Sequence, residues 1–527
     1  MMSVRSSILA AAATLSLAIA SPAAAEIPDN LRDDVVADVD SRAKLVQEIV
    51  DSIFSFSEPG FQEFKTQEYL TGILEENGFT IELGSAGIPS AFTATWTNGT
   101  GGPKIALGSD VDGLLGLSQV PGITELSPQI EAGPGHGEGH NSGMAVMVAA
   151  ALAVKDIMER ENIPGTLMLW PGIAEELLAT KAFFVREGMF EGFDACIFTH
   201  VSNSFGTSYG AGGGNGMVSV EYTFHGSSSH GAGAPWAGRS ALDGVELMNV
   251  AWNMRREHLY PTQRSHYIIT NGGGQPNIVP DVASVWYYFR ERDFDGIRGL
   301  YETGNRIAEA AAMATDTSVT RRILGYAAPQ HGNLPMAELA QQYIEYVGMP
   351  EWSEDDETFT RMVQEGLGRP IQPLNTEVME LSGPPEFSIG GGSDDIGDIM
   401  WALPTITIRF PSNIPSMIGH HQTAAIAMAT PIAHKGALAG AKAVALTTLD
   451  LIMNPDELAE AKAYQEGVQF AEGEYDPVLT DEDMPGIHLN KELMDRIRPE
   501  QEQFYYDPSK YDSYLDQLGI SYPPTGG

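Results

Sequence analysis

A chain of 527 residues is too long for one hydrophobic core, so two or more domains are expected, and a hydrophobic share of 43% is that of a globular protein. With 30 basic against 70 acidic residues the formal charge is −40. Such a field repels nucleic acid and anionic lipid alike, setting both aside as partners; any anionic substrate would have to be drawn in by local positive charge.

The chain opens Met1-Met2-Ser3-Val4-Arg5, continues through an Ala/Leu-rich run from Ile8 to Ala20, and reaches Ser21-Pro22-Ala23-Ala24-Ala25. This has the form of a secretory signal peptide cut after Ala25, with an apolar run too short to span a membrane. A periplasmic or secreted protein is expected, and no later segment reads as a membrane span. The single cysteine, Cys196, sits in the apolar run Asp194-Ala195-Cys196-Ile197-Phe198 and reads as a buried structural thiol.

Residues 46–54 and 66–77 carry helical apolar spacing, broken between them by Pro59 and Gly60. Strands at 92–96 and 104–107 follow, the second delivering Asp110 and Asp112 to its C-terminal end. A buried helix begins after Asn141. A strand at 166–170 leads into Glu175-Glu176, a helix covers 178–187, and a strand at 195–199 ends at His200. Alternation of this kind implies a parallel sheet, whose ligands gather beyond the carboxyl ends of the strands, where Asp112, Glu175-Glu176 and His200 all fall.

After the glycine-rich linker 210–216 the texture changes. Strand 218–224, helix 239–258, strands 267–270 and 283–289 and helix 297–312 have the order of an α+β layer inserted into the first domain. The first domain resumes at 337–347, passes the loop 389–398 and a strand at 405–410, and reaches Gly419-His420-His421 before a helical run at 436–451. The boundaries expected are a signal peptide at 1–25, a catalytic domain at 26–215 and 331–454, the insert at 216–330, and an extension at 455–527. The extension carries no ligand pattern and is expected to wrap the surface.

The chemistry concentrates in Gly135-His136-Gly137-Glu138-Gly139-His140-Asn141, where potential ligands alternate with glycines that let the backbone come close to an ion. Two zinc-type ions sharing a water need about five protein ligands, one of them bridging. The candidates are Glu138, His140, Glu176, His200 and one of His420 or His421. In Glu175-Glu176, one carboxylate on the metal leaves its neighbour free to take a proton from the water.

These stretches resemble the dinuclear-metal family of aminoacylases and glutamate carboxypeptidases, and within it the amidohydrolase branch of aminobenzoyl-glutamate hydrolase. The resemblance rests on Asp112-Gly-Leu-Leu-Gly-Leu-Ser-Gln119, the 135–141 loop, Ala174-Glu-Glu176, Gly238-Arg-Ser-Ala-Leu-Asp-Gly-Val-Glu246, Pro276-Asn-Ile-Val-Pro-Asp281, Gly392-Ser-Asp-Asp-Ile-Gly-Asp398 and His434-Lys-Gly436, in the family's order. It implies that His140, Glu176, His200 and His420 are ligands, with His420 preferred to His421 because it directly follows Gly419, and that Glu175 is the general base. It implies too that Asp112 orients a ligand and His136 stands behind the ligands.

The inserted domain would form a homodimer. His230 would reach the partner's active site to stabilise the tetrahedral oxyanion, with Asn277 a second polar contact. Arg290 is either a clamp for the substrate carboxylate or a surface salt bridge. His225, His258, His266, His331 and His488 match no motif. One departure stands out: most of the branch has cysteine where this chain has Glu138. A carboxylate can also bridge two ions, and its harder oxygen favours Mn²⁺ or Zn²⁺.

The expected fold is α/β, a zinc-peptidase-like catalytic domain with a mostly parallel central sheet plus an inserted α+β dimerisation domain. The expected activity is metal-dependent hydrolysis of an amide bond in small N-acyl or N-aryl amino acids. The rivals are a dipeptidase or carboxypeptidase on the same scaffold and a binding protein that has lost its chemistry.

Overall fold

The computed structural model describes residues 27–212, 214–386, 388–389 and 391–524; the expected signal peptide and its cleavage point lie outside them. Along the chain, α1 (Asp29–Ser41) and α2 (Ala43–Phe56) precede β1 (Thr80–Leu83), β2 (Phe92–Asn98) and β3 (Lys104–Asp110). Helix α3 (Gly143–Glu161), β4 (Gly165–Gly172), α4 (Lys181–Arg186) and β5 (Ala195–Ser202) complete the first part. The insert contributes β6 (Gly216–His225), α5 (Ala241–Arg255), β7 (Arg264–Asn271), β8 (Val282–Glu291), α6 (Phe294–Ala314) and β9 (Ser318–Ala327). The chain then returns through α7 (Leu334–Val347), α8 (Ile396–Ala402), β10 (Thr405–Pro411) and α9 (Pro431–Met453).

Strands β1-β2-β4-β3-β5-β10 lie side by side, with a two-residue strand at the far edge. The central pairs β4–β3, β3–β5 and β5–β10 are parallel, and the outer pairs antiparallel. Every residue of β4 is buried, as expected of a strand covered on both faces. Helix α3 is apolar nearly all round and is buried from Gly143 to Val154, so it packs in the centre of the domain. Helix α9 is long and apolar enough to cross a membrane, contrary to the expectation from sequence, but 83% of its apolar window is buried against the sheet and α3. It is a core helix.

The insert is a separate antiparallel sheet in the order β9-β6-β8-β7. Helices α5 and α6 bury one of its faces around Trp252, Tyr287 and Phe289. Its fourth strand, β9, escapes the sequence pattern because its first half is solvent-facing and carries Arg321-Arg322. The helix expected at 178–187 is shorter: it starts only at Lys181, because Ala174 and Leu178 hold left-handed φ values of +52° and +50° around a tight turn of Glu175–Leu177.

Beyond Asn454 the chain crosses both domains. Asp476 pairs with Arg298 on α6 at 2.5 Å, the Tyr475 hydroxyl donates to Asp398 (2.8 Å), and the Asn490 amide donates to the carbonyl of Gly60 (2.9 Å). Farther on, the Tyr514 amide donates to Asp51 (2.9 Å) and the Tyr522 hydroxyl to Asp356 (2.8 Å).

Candidate metal centre

The carboxyl ends of β3, β4, β5 and β10 open on one cleft of about 370 Å³, lined in part by Glu138, Glu175, His200, Asp394, Arg409 and His420. A larger cavity of about 800 Å³ lies at the β1–β2 edge, lined by Thr93, Thr95, Thr97 and Lys104 among others, and holds none of the candidate ligands. Two glycines shape the ligand loop. A Cβ on Gly135 would sit 2.1 Å from the carbonyl oxygen of Leu117, and Gly139 holds φ +116° between Glu138 and His140. The loop is tied to the His420 turn by the His420 amide, which donates to the Gly137 carbonyl (3.2 Å).

The five expected ligands form a continuous chain. His140 Nδ1 lies 3.8 Å from Glu176 Oε1, and Glu176 Oε2 is 3.5 Å from His420 Nε2. His420 Nε2 is also 3.5 Å from Glu138 Oε2, and Glu138 Oε1 is 3.8 Å from His200 Nε2. His421 points elsewhere: its Nδ1 accepts the Thr423 amide (3.2 Å), capping a short helix. Asp112 holds the inner end of the chain, its Oδ1 3.4 Å from His140 Nδ1 and its Oδ2 accepting the Glu176 amide (3.1 Å). His136 stays behind, donating through Nε2 to the carbonyl of Ile53 (3.0 Å) with its ring against Phe54.

The electrostatics are those of a site short of positive charge. Burial, then Asp110, Asp394 and Glu176, drive the Glu175 carboxyl well above its ordinary range, against the pull of Lys181. Glu176 is raised likewise, by burial first, although His140 lowers it. Burial disfavours a charged His140, yet Asp112, Glu176 and Asp110 together push it up to about 10. His200 goes the other way, to about 4, through burial and the neighbouring Arg409 and His140.

Several buried polar atoms here make no well-formed hydrogen bond among the described residues: both ring nitrogens of His140, Glu176 Oε1, Asp112 Oδ1 and Asp110 Oδ2. Buried polar atoms are costly to leave unpaired. Divalent cations held by oxygen and nitrogen supply the charge and the contacts together, so the residues present fit such ions. Donor atoms of Asp110, His140 and Glu175 also lie within 4.8 Å of one another, as do those of Glu175, Asp394 and Asp395. Asp110 is already engaged, however: Lys181 Nζ, fully buried, sits 2.6 Å from its Oδ1 and also bonds Asp395.

The remaining candidates lie on the insert. His230 is exposed, and its Nδ1 accepts the amides of Ala232 (3.2 Å) and Gly233 (3.0 Å), which leaves Nε2–H as the donor of the neutral ring. Asn277 is on the adjoining exposed loop, its carbonyl accepting the Gly231 amide (2.8 Å). Among the described residues no hydrogen bond or ion pair joins His230 or Asn277 to the cleft of their own chain. Arg290 makes no salt bridge among them either; it donates to Ser393 Oγ (3.2 Å) beside the cleft and stacks over Tyr288.

Sequence reasoning assigned no role to Lys181, Asp394, Asp395 or Arg409. A lysine inside the apolar run Thr180-Lys181-Ala182-Phe183-Phe184 was a usable signal of a buried cation. Arg409 gave none, because only the pairing of β10 with β5 sets it beside His200.

Residues 213–313 match the family profile described as the peptidase dimerisation domain. The chain is 31% identical over 458 residues to one of the subunits of the p-aminobenzoyl-glutamate hydrolase of Escherichia coli, covering 82% of this chain and 94% of that one. It is 28% identical over 426 residues to the Xaa-Arg dipeptidase of Mus musculus, covering 79% and 88%. In fold it is similar to the aminobenzoyl-glutamate utilization protein of Klebsiella pneumoniae, with a TM-score of 0.53 at 15% identity over 77% of this chain and 96% of that one.

Proposed function

Since the chain belongs to the M20 peptidase family, whose members among its relatives are hydrolases of amide bonds, we propose that it cleaves N-acyl or N-aryl amino acids at a centre holding two divalent ions, Zn²⁺ or Mn²⁺. The observation that carries this reading is the unbroken chain His140–Glu176–His420–Glu138–His200, whose buried inner atoms make no well-formed hydrogen bond among the described residues. When bound, the ions polarise the scissile carbonyl and acidify a water.

The protein's own residues do the rest. Glu175, buried and of raised proton affinity, takes a proton from the attacking water and returns it to the leaving nitrogen. Asp112 holds His140 and the Glu176 backbone in place. Arg290 clamps the substrate carboxylate.

The oxyanion donor comes from a second copy. Among the described residues the His230 Nε2–H meets no acceptor in its own cleft, and Asn277 lies beside it. The exposed α5 residues Leu247, Val250 and Met254, spaced on one helix face, together with the unpaired edge of β7, support a homodimer through the insert. The resemblance to Xaa-Arg dipeptidase supports a dipeptidase as second reading.

A panel of N-benzoyl amino acids, p-aminobenzoyl-glutamate and dipeptides separates these. Turnover of the N-acyl substrates, abolished by a chelator and restored by Zn²⁺ or Mn²⁺, is the expected result. Turnover confined to dipeptides would favour the second reading, and an inert panel with metal bound would leave only a binding protein.

A further inference from the structure

Arg409 occupies an unusual place. The parallel pairing of β10 with β5 sets it opposite His200, and while Ile408 and Phe410 on either side are fully buried, its own side chain stands open in the cleft. Its guanidinium lies 3.1 Å from His200 Nδ1. That nitrogen is also 2.9 Å from the carbonyl of Val201, a contact that requires a proton on Nδ1. The same tautomer frees Nε2 to face Glu138.

A protonated Nδ1 accepts nothing from Arg409. Among the described residues no carboxylate lies within ion-pair distance of the guanidinium, although Glu138, Glu175 and Asp394 line the same cleft. Among the described residues its fork of N–H donors then has no protein acceptor in the cleft. From the other wall, Arg290 on β8 reaches Ser393, which also lines the cleft, and keeps a buried Nε without a partner. Arg409 thus lines the cleft and Arg290, from the other domain, adjoins it through Ser393, and among the described residues neither forms an ion pair with a carboxylate.

We infer that Arg409 is a specificity-determining residue that binds a second carboxylate of the substrate, so that the enzyme prefers dicarboxylic substrates over those with a single carboxylate. This rests on the amidohydrolase reading, with Arg290 taking the first carboxylate. A planar fork beside a planar carboxylate gives paired, charge-assisted hydrogen bonds, each stronger than a neutral one. The overall charge of −40 makes such local cations the means by which a dianion is held at all.

The test compares kcat and KM for N-benzoyl-glutamate, N-benzoyl-glutamine and N-succinyl-alanine in the wild type, Arg409→Gln and Arg409→Lys, with bound metal measured alongside. The first and third substrates carry the second carboxylate on the leaving side and the acyl side respectively, which locates it. In the wild type, one dianion is expected to exceed the glutamine compound in kcat/KM by about 10- to 100-fold. The ratio should fall toward one in Arg409→Gln, chiefly through KM, and recover in part in Arg409→Lys, with metal content unchanged. Equal use of mono- and dianions by the wild type overturns the inference while leaving the amidohydrolase reading standing. So does a preference that survives Arg409→Gln, or a variant that loses metal and kcat on all substrates alike. A wild type that hydrolyses none of the three overturns both.

Discussion

Glu175→Gln is expected to lower kcat about 10³-fold, within the range that a positioned general base contributes, with bound metal unchanged. Glutamine has the shape of glutamate but cannot accept the proton, and Glu175 is buried at the cleft wall, 3.9 Å from His140. The variant also tests the oxyanion donor. In a dimer where His230 serves the partner's cleft, Glu175→Gln and His230→Ala are each inactive alone. A mixed dimer, however, has one complete site, formed by the Glu175 of one copy and the His230 of the other. Equal amounts, allowed to exchange, should regain about a quarter of wild-type activity, since half the dimers are mixed and each has one working site of two. No recovery would place His230 in its own chain's site or outside catalysis.

Lys181→Met should destabilise the catalytic domain by about 3–5 kcal/mol, the cost of removing one partner from a buried ion pair. Lys181 is fully buried, with Asp110 2.6 Å away, Asp395 bonded to it, Asp394 at 4.0 Å and the Phe198 ring at 5.1 Å. It fastens the end of β3 to the start of α8 beneath Glu175. Methionine fills the space but leaves two buried carboxyls unmatched. The midpoint of urea unfolding, followed through the catalytic domain, measures the loss, and Lys181→Met with Asp395→Asn should recover part of it because the two changes act on one pair. A single variant as stable as the wild type would mean that both acids are protonated in the native protein and that the lysine is not what holds them.

Much of the framework was legible because it is written locally. The buried runs that became β3, β4 and β5 are near-continuous apolar stretches, and the ligands stand at their ends or between glycines, so strand direction alone gathers them. The insert's layer was legible for the same reason, except β9, whose exposed first half hides its period. What could not be read depends on contacts between distant segments. Arg409 meets His200 only through strand register, and Lys181 finds Asp110 and Asp395 only after three segments pack. The turn at Glu175–Leu177 ran against local preference too, since its flanking Ala174 and Leu178 take a left-handed conformation that such residues rarely adopt. The tail showed no ligand pattern, and its contacts across both domains are set by side chains far apart in sequence.

The proposed chemistry requires that Glu138, His140, Glu176, His200 and His420 together hold a pair of ions. Elemental analysis of the purified protein, dialysed free of loosely held metal and then loaded with Zn²⁺ or Mn²⁺, measures it directly. Two equivalents per chain are expected in the wild type, falling to one or none in Glu138→Ala. A wild type that retains no tightly bound metal, or a Glu138→Ala variant that retains both ions, would contradict it.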